Sequence, residues 1–304
     1  MLNYIVRRLV IALIAIFVLA TVTFFLMRLV PGDPFAGPRV APEIRAALRA
    51  YYGLDKPLFE QYLIYMLNLL QGDLGLSLAA RGHTVTDIIA TAFPVSLDLG
   101  IRAMILSIVF GIAFGVVAAL RRGTAFDYLT VMLVLVGISV PSFVLAGLMQ
   151  YYFGVYFRIL PIARYESFWH TIMPAVALSL GTMATIARYM RSSMLEVVHA
   201  DYIKTAFAKG LKPHQVVLRH QIRNALFPVL TILGPAVASV LTGSFVVETV
   251  FAIPGLGRYF VTAMQNLDYT LVMGLTIFFG AFLIGMNFLV DLAYGLIDPR
   301  IRTS

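Results

Sequence analysis

Long apolar runs constrain this chain more than anything else in it. Six stretches, at about 9–30, 94–120, 129–157, 171–190, 225–251 and 270–294, hold very little charge. Each is near or above the length that crosses a hydrocarbon core as a helix. A transmembrane barrel would need short strands of alternating polarity instead. The expected fold is therefore all-α: a polytopic membrane protein with about six transmembrane helices. Composition adds weight, since 60% of the residues are hydrophobic and only 12% charged, whereas soluble proteins carry roughly a quarter charged residues.

Tyr4, Arg7 and Arg8 precede the first run, which resembles a signal peptide at its start. It is too long for a signal core and ends in PGDP at 31–34 with no small-residue cleavage site, so it is expected to stay as a membrane helix. Residues 1–30 then form an N-terminal helix, 31–93 an extracytoplasmic helical subdomain, and 94–304 a membrane core of five helices. The subdomain carries Pro31, Pro34, Pro38 and Pro42, followed by two amphipathic patterns. Ile44, Leu48, Tyr51 and Tyr52 keep helical spacing, as do Phe59, Tyr62, Leu63, Met66, Leu67 and Leu70. A lid packed on the helix ends and a direct partner contact both remain open for it.

Within the core, Gly111 and Gly115 permit close helix approach. Asp98 and Arg102 have the spacing of a helical ion pair, read as an interfacial pair rather than a transport-path element. Gly137, Ser139 and Pro141 interrupt the third span, where proline removes a hydrogen bond and kinks the helix. Pro228, Gly234, Pro235 and Gly243 make the fifth span the least regular. Trp169 suits an interfacial anchor.

Residues 191–224, RSSMLEVVHADYIKTAFAKGLKPHQVVLRHQIRN, interrupt this oily pattern. Arg191, Lys204, Lys209, Lys212, Arg219 and Arg223 outnumber Glu196 and Asp201. The punctuation is that of two helices and a corner. Asp201 suits an N-cap or first turn, and Lys209 the carbonyl-rich end. Gly210 can take the positive φ that closes a helix, and Pro213 can open the next one. The stretch reads as a short helical protrusion offered to another protein.

Six spans place both termini on one side, together with Arg7 and Arg8, Arg121 and Arg122, the central stretch, and Arg300 and Arg302. The positive-inside rule makes that side cytoplasmic. The net charge of +8 follows the membrane, and no aromatic–basic groove accompanies it, so nucleic acid is not an expected partner. Cysteine is absent, which excludes disulfides and thiolate metal sites. No phosphate loop, HExxH, GxSxG or paired-carboxylate cluster occurs, and His83, His170, His199, His214 and His220 are scattered. An intramembrane enzyme lacks its catalytic pair: Asp98, Arg102, Glu248 and Asp291 all fall near span ends. No catalytic residue, resident metal or cofactor is expected in this chain.

DYIKTAFAKGL and LRHQIRNALFPVL, within 201–230, closely resemble the cytoplasmic signature of permeases of binding-protein-dependent ABC importers, and of their dipeptide, oligopeptide and nickel branch in particular. The likeness extends over nearly the whole chain: PGDP at 31–34, GLDKPLFEQYL at 53–63, GDLGLSL at 72–78, VPSF at 140–143, ETVFAIPGLGRY at 248–259 and YGLIDPRIR at 294–302. The general signature has Glu-Ala-Ala where this chain reads Lys204, Thr205 and Ala206, a departure the peptide branch shares. The resemblance implies a type I importer permease fold and a coupling helix before Gly210, seated in a cytoplasmic ATPase subunit. On that basis Asp201, Tyr202, Lys204, Thr205, Ala206, Ala208, Lys209, Gly210 and Leu211 would carry the ATPase contact, and Arg219, Arg223 and Asn224 would tie it to the membrane base.

It also implies a second, homologous permease, two ATPase chains that hold ATP and magnesium, and an extracytoplasmic solute-binding protein, all at a prokaryotic inner membrane. Ser139, Pro141, Gly234 and Pro235 are expected on the solute path from helix irregularity alone. The absence of acidic rings in the spans favours peptides over a free metal cation, with nickel chelates or glutathione-like solutes as alternatives. A channel or scaffold without ATP-driven cycling would explain the spans and the protrusion but not the likeness along the rest of the chain.

Overall fold

In a computed structural model, residues 2–29, 56–77, 82–241 and 243–297 are described. The amphipathic pattern around Ile44–Tyr52, PGDP at 31–34 and the basic tail at Arg300 and Arg302 lie outside them. Among the described residues the fold is all-α, with one isolated bridge between Leu76 and Thr84. Five helices among these residues are long and apolar enough to span a membrane, and a bent pair makes up to six. The chain divides into two compact units, Met1–Ser96 with Pro254–Ser304, and Leu97–Ile253.

In the first unit, α1 (Leu2–Leu29) packs against the last helix, α12 (Tyr269–Ile297). Along much of its length it exposes Val6, Leu13, Phe17 and Leu26, as a lipid-facing helix does. Amphipathic α2 (Leu58–Leu70) lies on α1, where Tyr62 stacks on Phe25, shares a 2.8 Å hydrogen bond with Thr21 and meets Phe24 edge-on. Burial, followed by the neighbouring Tyr62, pushes the Tyr65 phenol up to about 12. A core of Val85, Ile88, Ile89, Leu256, Leu271 and Leu275 joins the start of α3 (Val85–Leu120) to α11 (Leu256–Gln265) and α12. Ser96 Oγ accepts the Leu256 N–H at 2.9 Å. Buried Asp268 accepts the Ser77 hydroxyl at 2.6 Å and the Leu271 N–H at 3.0 Å, capping α12. Helix α3 begins at Val85, earlier than the apolar run alone suggested, and carries Pro94 inside it.

The second unit is built around α6 (Phe168–Val198), whose buried residues are mostly small or flexible: Ala175, Ala177, Ser179, Ala184, Ala187 and several methionines. Small residues let neighbours approach closely. A Cβ at Gly115 would sit 2.6 Å from Met190 Cβ, and one at Gly111 2.8 Å from Ile186. On the other side, a Cβ at Gly137 of α4 (Ala125–Ser139) would sit 2.8 Å from Ala184 Cβ and from Leu180 O. Ser107 donates to Ser179 O at 3.0 Å, so a hydroxyl in the membrane-spanning part is satisfied across the contact.

The third span departs from a simple kink. Helix α4 and α5 (Ser142–Met149, continued by a π-helical turn at Gln150–Tyr156) meet at 108°. Pro141 lacks an N–H, and Val140 before it takes an extended conformation (φ −93°, ψ 122°), so the chain turns sharply there. Gln150 Nε2 then donates to Ile162 O at 2.8 Å and, at the end of α10 (Phe245–Val250), to Val250 O at 2.9 Å, holding the loop after this span. Asp98 and Arg102 form the expected pair at 2.7 Å, joined by the Tyr165 hydroxyl, which donates to Asp98. Burial and the Asp98 carboxylate push the Tyr165 phenol up to about 12.

Candidate functional site

Helix α6 does not stop where hydropathy falls. It continues through Arg191 to Val198, so the first part of the polar stretch is its extension rather than a separate protrusion. The chain then turns at His199 and Ala200 into α7 (Asp201–Ala208). Asp201 lies in the first turn, where its charge meets the helix's positive end. Lys204 Nζ reaches its Oδ1 at 2.9 Å, but both side chains are largely exposed, so the pair adds little stability.

At the other end, Gly210 has φ +80°. Its N–H donates to Phe207 O at 2.9 Å, and the Leu211 N–H donates to Ala206 O at 3.4 Å. This paired closure is a Schellman motif, completed by Leu211 packing near Ala206. Pro213 opens α8 (Pro213–Val216), and Gln215 Oε1 accepts the Lys212 N–H at 3.2 Å. A π-helical segment, Val217–Ile222, carries the chain directly into α9 (Arg223–Leu241). The second helix of the corner is thus the root of the fifth span.

Only Ile203 and Ala206 of α7 are buried, against Val216 with Val197 and Leu211 beside them. Asp201, Tyr202, Lys204, Thr205, Ala208, Lys209 and Gly210 face outward. Ala206 is therefore a packing residue of the corner. Phe207, absent from the sequence-derived set, is 48% exposed, as Tyr202 is at 45%. Its signal was present: an aromatic residue in a polar stretch, at the edge of the stripe set by Ile203 and Ala206. Arg219, Arg223 and Asn224 are exposed, and Asn224 Nδ2 donates to His220 O at 2.7 Å. The ion pair at this base is made by Arg191 instead. Its Nε and Nη2 reach Asp127 Oδ1 and Oδ2 at 2.6 and 3.0 Å.

A cavity of about 510 Å³ occupies the same unit, beside the α4–α5 break. Gly137, Pro141, Ser142, Gly181, Thr182, Ser239 and Ser244 line it among apolar side chains, and none of its lining residues is charged. Of the four path residues expected from helix irregularity, Pro141 lines it. Ser139 is exposed next to the break without lining the cavity, Gly234 is buried in α9, and Pro235 is exposed on α9. The hydroxyls of Thr182, Ser239 and Ser244 were the missed signal, polar interruptions in stretches read as apolar spans.

Residues 111–303 match the inner membrane component of binding-protein-dependent transport systems, and residues 1–100 match the N-terminal part of such components. The chain is similar to the dipeptide transport system permease protein DppB of Bacillus subtilis, with 46% identity over 99% of this chain and 98% of the relative. The oligopeptide transport system permease protein OppB of Haemophilus influenzae is 43% identical over 99% of this chain and all of the relative. DppB of Lactococcus lactis is 40% identical at the same coverage. With two matched segments spanning nearly its whole length, this chain belongs to the family of inner membrane components of binding-protein-dependent transport systems.

Proposed function

We propose that this chain is a permease subunit of an ATP-driven importer for di- or oligopeptides, working with a second permease, two ATPase subunits and a solute-binding protein. The observation that carries the reading is the α7 corner: a helix held by two buried residues, closed by its own backbone, with the rest of its surface offered outward. Such a knob can seat in a partner's cleft by side-chain packing, with Tyr202 and Phe207 as aromatic anchors. In this reading both termini and the corner face the cytoplasm, where the ATPase chains bind ATP and magnesium. Closure of the ATPase pair draws the corners together and rocks the spans, and hydrolysis resets them. Peptides are the favoured solute because the relatives are named for dipeptides and oligopeptides. The uncharged cavity wall suits a solute of varied side chains. The test is reconstitution of the chain with its partner subunits and binding protein in proteoliposomes, followed by uptake of a labelled dipeptide. Uptake should require ATP on the α7 side; uptake by the chain alone, or without ATP, overturns the proposal.

A further inference from the structure

The Arg191–Asp127 pair is polar, largely buried and unused by the reading above, on which the present inference rests. Both prongs of the guanidinium fork are engaged, at 2.6 and 3.0 Å, and the Gly123 N–H donates to the same Asp127 Oδ2 at 3.0 Å. The Asp127 side chain is 6% exposed and that of Arg191 28%. A buried ion pair gains little net stability over an apolar contact of similar volume. What a two-pronged contact fixes well is position and angle.

Its place in the chain supplies the reason for such a fixture. From Arg191, α6 runs unbroken to Val198, and Val197 packs on the Ile203–Ala206–Val216 cluster beneath α7. A displacement of α7 therefore reaches α6 through packed side chains. Asp127 stands in the first turn of α4, about 15 Å along the helix from Gly137 at the cavity wall. Between them, α4 and α6 meet partly through small residues, Gly137 on Ala184 and Leu180 O. Val134 packs there on Ala184 and Ala187, so the side chains interlock only shallowly, whereas both prongs of the fork must break before the helices can slide. We infer that Asp127 and Arg191 are a positioning pair that locks α4 to α6, so that a push on the α7 corner moves the cavity wall.

The test uses the assembled transporter in proteoliposomes and reads peptides taken up per ATP hydrolysed. Asp127→Asn is nearly isosteric and keeps an acceptor for the Gly123 N–H; Arg191→Lys keeps the charge and loses the fork. Both should hydrolyse ATP at close to the unaltered rate while moving about tenfold fewer peptides per ATP, a typical size for coupling between sites. Because the chain has no cysteine, Asp127→Cys with Arg191→Cys can be bridged by a short bis-thiosulfonate linker. Bridging should restore the ratio and reduction should abolish it again, which a purely structural role would not produce. An unchanged ratio in both single variants overturns the inference. So does uptake falling in step with hydrolysis, or failure of the bridged protein to recover. Absence of ATP-driven uptake by the unaltered complex would overturn the transport reading, and this inference with it.

Discussion

Replacing Gly210 separates a backbone requirement from a steric one. Its φ is +80°, and a Cβ built there meets nothing within 4 Å. The cost of a side chain is therefore conformational, not a clash. For an alanine in the left-handed region it is about 1–2 kcal/mol, a factor of roughly 5–30 in the population of the closed corner. Asparagine, which tolerates that region, should cost less, and β-branched valine more. The apolar anchor of Ile203, Ala206 and Val216 is untouched, so the complex should still assemble. The assay is peptide uptake per ATP hydrolysed across Gly210→Asn, Gly210→Ala and Gly210→Val. Coupling should fall in that order, with valine giving hydrolysis that no longer responds to loaded binding protein. Asparagine behaving as badly as valine would refute the argument, because size and not backbone conformation would then decide. Equal coupling in all three would refute it as well.

Gly115→Ala should destabilise by about 1–3 kcal/mol, since its methyl would lie 2.6 Å from Met190 Cβ and 2.7 Å from Ala187 O, forcing α3 and α6 apart. Thermal unfolding of the purified complex checks this, with Gly147→Ala, where nothing lies within 4 Å, as the harmless comparison. Gln150→Leu strips a donor from Ile162 O and Val250 O at a cost of about 1–3 kcal/mol, and should speed proteolysis within 157–167. In alkaline titration by tyrosinate absorbance, Tyr65 and Tyr165 should ionise near pH 12, well above the ordinary 10.0. Because their folded values lie above the ordinary 10.0, their stabilising effect is complete below pH 10 and is lost as pH climbs to about 12. Tyr165→Phe should remove one of the two late steps.

The features readable from sequence were those that act over a few residues. Gly210 and Pro213 punctuate the corner by turn chemistry, Asp98 and Arg102 pair one helical turn apart, and Gly111 with Gly115 mark a close contact. What escaped was fixed by packing between distant segments. Asp127 lies 64 residues from Arg191, and Tyr165 lies 67 from Asp98, so no local spacing could join them. Pro141 announced a distortion, but its 108° extent depends on what α5 and Gln150 find to bind. The boundary of α6 was hidden because Arg191 reads as an end of hydrophobicity, while its carboxylate partner lets the helix carry on past it.

The knob's last amides and carbonyls are already bonded to one another, so a visiting subunit finds a finished shape and owes it no folding. In the proposed transport cycle, grip and release can then be repeated at every turnover, each encounter beginning from the same handle.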